Sequence, residues 1–241
     1  MSVAEIRVRG VRLVLEPCGA VWWPERRALL VADLHFEKGS AYARRGALLP
    51  PWDTAATLAR LEAAVERRAP KLVVSLGDAF HDRHGPASLM DGARTRLAAL
   101  ARGRDWLWLS GNHDPLPPRD LGGEAAAALE LDGLHLRHAP GPDVAGEIAG
   151  HLHPKARLAT SRVRVVRPCF AGDGNRLLLP AFGSFTGGLN ALHPAIAGLF
   201  PAGFDAWLLG ERRVFRVPHA RLRPEQALYH TLHEELEHGS E

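Results

Sequence analysis

Five short apolar runs in this chain each end in a side chain able to ligate a metal, and no other feature restricts the fold as much. Ala28 to Ala32 ends at Asp33-Leu34-His35, Lys71 to Leu76 at Gly77-Asp78, and Asp105 to Leu109 at Ser110-Gly111-Asn112-His113-Asp114. Leu134 to Arg137 leads to His138, and Glu147 to Ala149 leads to Gly150-His151-Leu152-His153-Pro154. Short apolar runs bounded by turn residues read as strands buried on both faces. In sheets of such strands, ligands bind beyond the carboxyl ends, which is where all of these groups fall.

The rest of the chain supplies the layers around those strands. Ile6 to Leu15 is β-like, with Gly10 as a break, and Asp53 to Arg68 is a helix with Asp53 as N-cap, Leu58, Leu61 and Val65 at helical spacing, and Pro70 beyond its end. A second helix is expected over Leu89 to Ala101, stopping at Gly103. Short strands follow at Val163 to Arg167, Arg176 to Leu179, Ala206 to Leu209 and Arg213 to Val217, with Gly183 to Gly188 as a loop between strands. From Arg221 onward the residues are charged and are expected to form a closing helix or a loose tail. Strands alternating with helices first and hairpins later predict an α/β sandwich with mixed sheets, in one domain spanning residues 1–241.

Composition removes other classes. With 46% hydrophobic and 24% charged residues the chain is neither disordered nor fibrous. No apolar run reaches the ~20 residues needed to cross a bilayer, so no membrane association is expected. Cys18 and Cys169 are too far apart in sequence and too few for a disulfide framework or a thiolate zinc site, which fits a reducing cytoplasm. Of the 30 basic residues only Lys38, Lys71 and Lys155 are lysine. Arginine forks suit phosphate oxygens, but these are scattered and give weak support for a nucleic-acid partner.

Asp33, His35, Asp78, Asn112, His138, His151 and His153 offer carboxylate, amide and imidazole donors and no thiolate. That set suits manganese, iron or zinc, whereas calcium prefers oxygen alone. The one-residue spacing within Asp33-Leu34-His35 and within His151-Leu152-His153 predicts that each pair points to one side of an extended chain. So many donors exceed what a single open ion needs; two ions ~3.5 to 4 Å apart and sharing a carboxylate would use them all.

In the order D-L-H, G-D, G-N-H-D, a lone His and G-H-L-H-P, the chain resembles the calcineurin-like metallophosphoesterases. It is more closely similar to the bacterial DNA-ligase-associated metallophosphoesterases, whose pattern it shares nearly end to end, including GSFTGGLN at 183–190. The resemblance implies an αββα sandwich of two mixed sheets flanked by helices and a cofactor of two divalent ions, manganese foremost, with iron or zinc as alternatives. It implies that Asp33, His35 and His153 hold one ion, that Asn112, His138 and His151 hold the other, and that Asp78 bridges them. His113, left free of metal, would act as an acid toward the leaving oxygen or stabilise developing charge, with Asp114 as its orienting partner. The stretch Gly77-Asp78-Ala79-Phe80-His81 resembles the G-D-x-F-H form of the double-strand-break nuclease branch, where many phosphatases carry aspartate in place of the histidine. This makes His81 a substrate-binding candidate and favours phosphodiesters, in DNA or RNA, with a role in DNA repair. A DNA ligase or helicase as partner follows from the resemblance alone. The departure is that no stretch between the motifs is long enough for the DNA-capping domain of those nucleases. A phosphomonoesterase acting on nucleotides or other small phosphates is the second enzymatic reading, and a non-catalytic interaction module on the same fold is the reading from another class.

Overall fold

The structure, a computed structural model, describes residues 3–47, 52–115, 119–142, 144–159 and 164–224. The amino-terminal β-like segment is a hairpin of β1 (Ala4–Val8) and β2 (Val11–Leu15). Its turn, Arg9-Gly10, holds φ of 49° and 85°, so the break expected at Gly10 is a full reversal. There follow β3 (Val21–Trp23), β4 (Ala28–Val31), α1 (Lys38–Arg44), α2 (Asp53–Arg68), β5 (Leu72–Ser75), α3 (Gly85–Ser88), α4 (Asp91–Ala101) and β6 (Asp105–Leu109). The second half contributes β7 (Glu124–Ala126), β8 (Ala128–Leu131), β9 (Leu134–Arg137), β10 (Glu147–Ala149), β11 (Lys155–Ala159), β12 (Arg164–Gly172), β13 (Arg176–Leu178), α5 (Pro194–Ala197), β14 (Asp205–Leu209) and β15 (Val214–Pro218).

One sheet runs in chain order from β1 to β7, antiparallel through β4 and parallel from β4 to β7. The other has the order β15-β14-β12-β13-β10-β9-β8, with β11 paired to β12, and is parallel only at β9, β10 and β13. Both sheets are mixed, and helices cover them, as the sequence pattern predicts.

The continuous apolar runs are explained by burial of both faces. Ala28 and Leu30 of β4 face the inter-sheet core with Leu13, Trp23, Val74, Leu136, Ile148 and Phe170. Leu29 and Val31 face the opposite way, onto Leu58, Leu61 and Val65 of α2 and onto Trp106 and Trp108. Each Leu, Val, Ile or Phe among them contributes about 1.5 to 3 kcal/mol on full burial. Phe200, Phe204 and Ile196 cover the outer face of the second sheet. Trp23, Trp106 and Trp108 are buried core residues, Cys169 is buried and Cys18 half-buried.

One local expectation needs correction, and several short elements were not expected. Asp53 is the first residue of α2 and not its cap: Trp52 occupies that position, and the Asp53 carboxylate accepts from the Gly39 N–H at 3.1 Å. β3, β11 and the short α1, α3 and α5 carry no periodicity that marks them in sequence. A 3-10 turn spans His219–Arg221; the closing helix or loose tail expected from Arg221 falls on 225–241, which lie outside the described residues. No described helix is long and apolar enough to cross a membrane.

Candidate metal centre

Parallel pairing of β4, β5 and β6 brings Asp33, Asp78 and Asn112 to one rim of the first sheet. Parallel pairing of β9 with β10 brings His138 and His151 to the matching rim of the second. The chain does not leave these strands extended, as the paired spacing led one to expect. Asp33, His35, Asp78, His151 and His153 all have left-handed φ, between 45° and 70°, a region costly for residues with a Cβ and concentrated at functional sites. Cross-links hold the turns: Asp33 N–H donates to Gly77 O at 3.3 Å, His35 N–H to Asp78 O at 3.0 Å, and His151 N–H to the Asp33 carboxylate at 2.9 Å. These turns send His151 and His153 to different clusters.

In the first cluster Asp33, His35 and His153 place one donor atom each within 4.8 Å of the others. His153 Nε2 is 3.3 Å from both His35 Nε2 and Asp33 Oδ1. Asp78, His138 and His151 form the second cluster within the same limit. There His138 Nε2 lies 3.3 Å from Asp78 Oδ2, 3.1 Å from His151 Nδ1 and 2.8 Å from Asn112 Oδ1. Each cluster draws donors from both sheets.

These residues fit divalent cations. Asp33 Oδ1 and His35 Nδ1 are buried without a hydrogen-bond partner, and such orphans call for an ion or a water. His138 Nδ1 donates to Leu76 O at 2.9 Å, which turns Nε2 toward the cluster, the usual outer support of a ligating imidazole.

The electrostatics agree with a cation site. Burial opposes the charge of Asp78, but the hydrogen bond and charge of His138 outweigh it and bring its pKa down to about 2. Burial likewise opposes a charged His138, yet Asp78 and Asp33 raise it to about 9. His35 is pushed down to about 2, first by burial and then by the neighbouring His153. The Asp78 carboxylate, held ionised beside imidazoles, offers a place for added positive charge.

His113 is beside this group, its Nε2 3.9 Å from Asp78 Oδ2 and its side chain partly exposed. Its backbone N–H donates to Asp78 Oδ1 at 2.9 Å. Its ring stacks on His81 with centroids 5.3 Å apart, and Nδ1 meets the carbonyl oxygen of His81 at 2.7 Å. A carbonyl only accepts, so Nδ1 carries the proton and Nε2 faces the site. The group that orients His113 is therefore His81 and not Asp114. Asp114 is buried, accepts from the Phe80 N–H at 3.0 Å, and has a pKa raised to about 7, mainly by burial. It supports the loop carrying Asp78 and His81.

Lys38 and Tyr42 of α1 were not foreseen. The Tyr42 ring lies 5.6 Å from His81, and Lys38 Nζ lies 5.7 Å from the Tyr42 ring. Burial, then Lys38, pushes the His81 pKa down to about 4. Two glycines keep the rim open. A Cβ on Gly77, whose φ is +77°, would sit 2.5 Å from the His138 ring, and one on Gly111 would sit 2.1 Å from Asp78 Oδ1.

A family model described as calcineurin-like phosphoesterase matches residues 26–139, which span Asp33 to His138. Among solved structures, the Pseudomonas putida nuclease MPE is 30% identical with a TM-score of 0.69, the match covering 90% of this chain and 100% of that one. Yfce, a phosphoesterase from E. coli, is 15% identical with a TM-score of 0.40, over 80% of this chain and 98% of that one, too distant a likeness to bear on function. No curated protein matches the chain. Two donor clusters at apposed strand ends, the matched residues and the likeness to MPE over nearly the whole chain place this protein in the calcineurin-like phosphoesterase family, a family of metal-dependent phosphoester hydrolases.

Proposed function

We propose that this protein is a two-metal phosphodiesterase acting on nucleic acid, with manganese as its preferred ion. The observation that carries the reading is the pair of donor clusters, each drawn from both sheets, with the Nε2 face of His113 beside Asp78. Asp33, His35 and His153 would hold one ion, Asn112, His138 and His151 the other, and Asp78 would be shared. Ions held there would lower the pKa of bound water toward neutrality and offset the negative charge of the phosphoryl oxygens. His113 keeps Nδ1–H on the His81 carbonyl, so in its imidazolium form Nε2–H is the proton offered to the leaving oxygen. His81, stacked on His113 and flanked by Tyr42, would contact the substrate on the same side.

Preference for diesters and for nucleic acid is supported by the G-D-A-F-H stretch at 77–81 and by the likeness to a protein described as a nuclease. A role in DNA repair beside a ligase rests only on the sequence resemblance to the DNA-ligase-associated metallophosphoesterases, and a cytoplasmic location on the cysteine usage. Purified protein with manganese should hydrolyse bis-p-nitrophenyl phosphate at least as fast as the monoester. Turnover of the monoester alone would refute the diester reading, and no turnover of either would refute the hydrolase site.

A further inference from the structure

The loop from Gly183 to Gly188 is anchored on the first cluster. Gly183 N–H donates to Asp33 O at 2.9 Å. At the other end Gly188 packs so closely on His153 that a Cβ there would lie 2.2 Å from its carbonyl oxygen. Between those anchors the loop is held on every side. Lys38 Nζ donates to Phe185 O at 2.7 Å, Lys155 Nζ to Thr186 O at 3.2 Å, and Ser184 N–H to Thr57 Oγ1 at 2.9 Å. The residue at its tip is Phe185, with φ of +58° and a side chain left 55% exposed. An aromatic residue gains nothing for folding from either condition: the backbone is disfavoured for a bulky side chain, and the ring stays in water.

Beside Phe185 runs a cleft of about 440 Å³ that also has Val166, Pro168, Arg60 and Lys155 in its walls. It continues past Lys155 and Val166 to Arg157 and Asn190. Val166 is 54% exposed. No described residue lining either part is acidic, and the basic residues in its walls are Arg60, Lys155 and Arg157. A basic track with an exposed ring in it is what a single nucleic-acid strand requires, since phosphates follow the charge and unpaired bases stack on the ring.

Building on the nucleic-acid reading above, we infer that Phe185 is a base-stacking residue: it receives an unpaired base next to the scissile phosphodiester, while the strand continues along the cleft past Lys155. Lys38 and Lys155 act as positioning residues, because their bonds to the loop carbonyls keep the ring where the strand passes. In a duplex the bases are already stacked on each other, so the ring selects single-stranded substrate.

The test uses the full chain with manganese and a short single-stranded DNA, compared with the same oligonucleotide carrying an abasic residue beside the cleavage position. For Phe185→Ala, KM on the intact strand should rise about tenfold while kcat changes much less, as expected when one stacked base is lost. The wild-type preference for the intact strand over the abasic one should disappear in Phe185→Ala and return in Phe185→Tyr. An unchanged KM, an abasic preference that survives Phe185→Ala, or an equal loss on duplex DNA would overturn the platform. If the wild-type protein cleaves neither the oligonucleotide nor bis-p-nitrophenyl phosphate, the reading of the metal site falls first. Cleavage by wild type with no effect at Phe185 removes only this inference.

Discussion

At the residue scale the chemistry turns on which nitrogen of each imidazole is committed elsewhere. His138 gives Nδ1–H to Leu76 O, and His113 gives Nδ1–H to His81 O, so both present Nε2 to the site. For His138 this has a measurable consequence. Its pKa is raised to about 9, so below that pH the metal-free protein holds an imidazolium that must lose its proton before Nε2 can ligate. Metal uptake at neutral pH should release a proton, and apparent affinity should strengthen as pH rises toward 9; calorimetry in two buffers of different ionisation enthalpy measures both. His113→Ala should retain its metal and lower kcat by about 10²- to 10⁴-fold, the range for a lost general acid. Retention of full kcat would remove the acid role. The candidate donors at 33, 35, 78, 112, 138, 151 and 153 stood out in the sequence because each lies within a few residues of the end of an apolar run. The partner of His113 was not, since adjacency in the chain suggested Asp114 and the hydrogen bond goes to His81, far away in sequence.

At the element scale the junction after each strand is the working unit. Ser75 ends β5, and Gly77 and Asp78 turn the chain so that the carboxylate faces the second sheet; Gly111 then passes against that carboxylate with no room for a side chain. Gly111→Ala should therefore displace Asp78 and reduce kcat about 10²-fold, the effect of roughly 1 Å of misplacement. Circular dichroism should remain native-like, and normal turnover would show that the junction is more pliable than its spacing indicates. Buried strands and the long α2 were readable because their apolar periodicity is set by the core they face. β3, β11 and the short helices were not, because three to seven residues form them under the control of neighbours already in place. The left-handed turns at Asp33, His35, His151 and His153 were also hidden, since no glycine occupies those positions to signal them.

At the scale of the whole molecule, each donor cluster takes side chains from both sheets and so exists only when the sandwich is closed. Asp33 and His35 from the first sheet meet His153 from the second; Asp78 from the first meets His138 and His151 from the second. An ion bound to both sides favours the folded state by mass action, about 2.7 kcal/mol at a hundredfold excess over Kd. Manganese should thus raise Tm by roughly 5 to 10 °C, at 2 to 4 °C per kcal/mol for a chain of this size, and a chelator should reverse it. An unchanged Tm would mean that the clusters do not bind the metal. What the sequence determined by itself was the inventory of donors and the strands that end in them, because a buried strand needs a continuous apolar run and the polar group after it stands out. Which donors meet was decided only by the tertiary structure. Left-handed turns, cross-strand hydrogen bonds and the apposition of the two sheets separate His151 from its near neighbour His153 and bring each to carboxylates more than seventy residues away, and such long-range pairings leave no local periodicity in the chain.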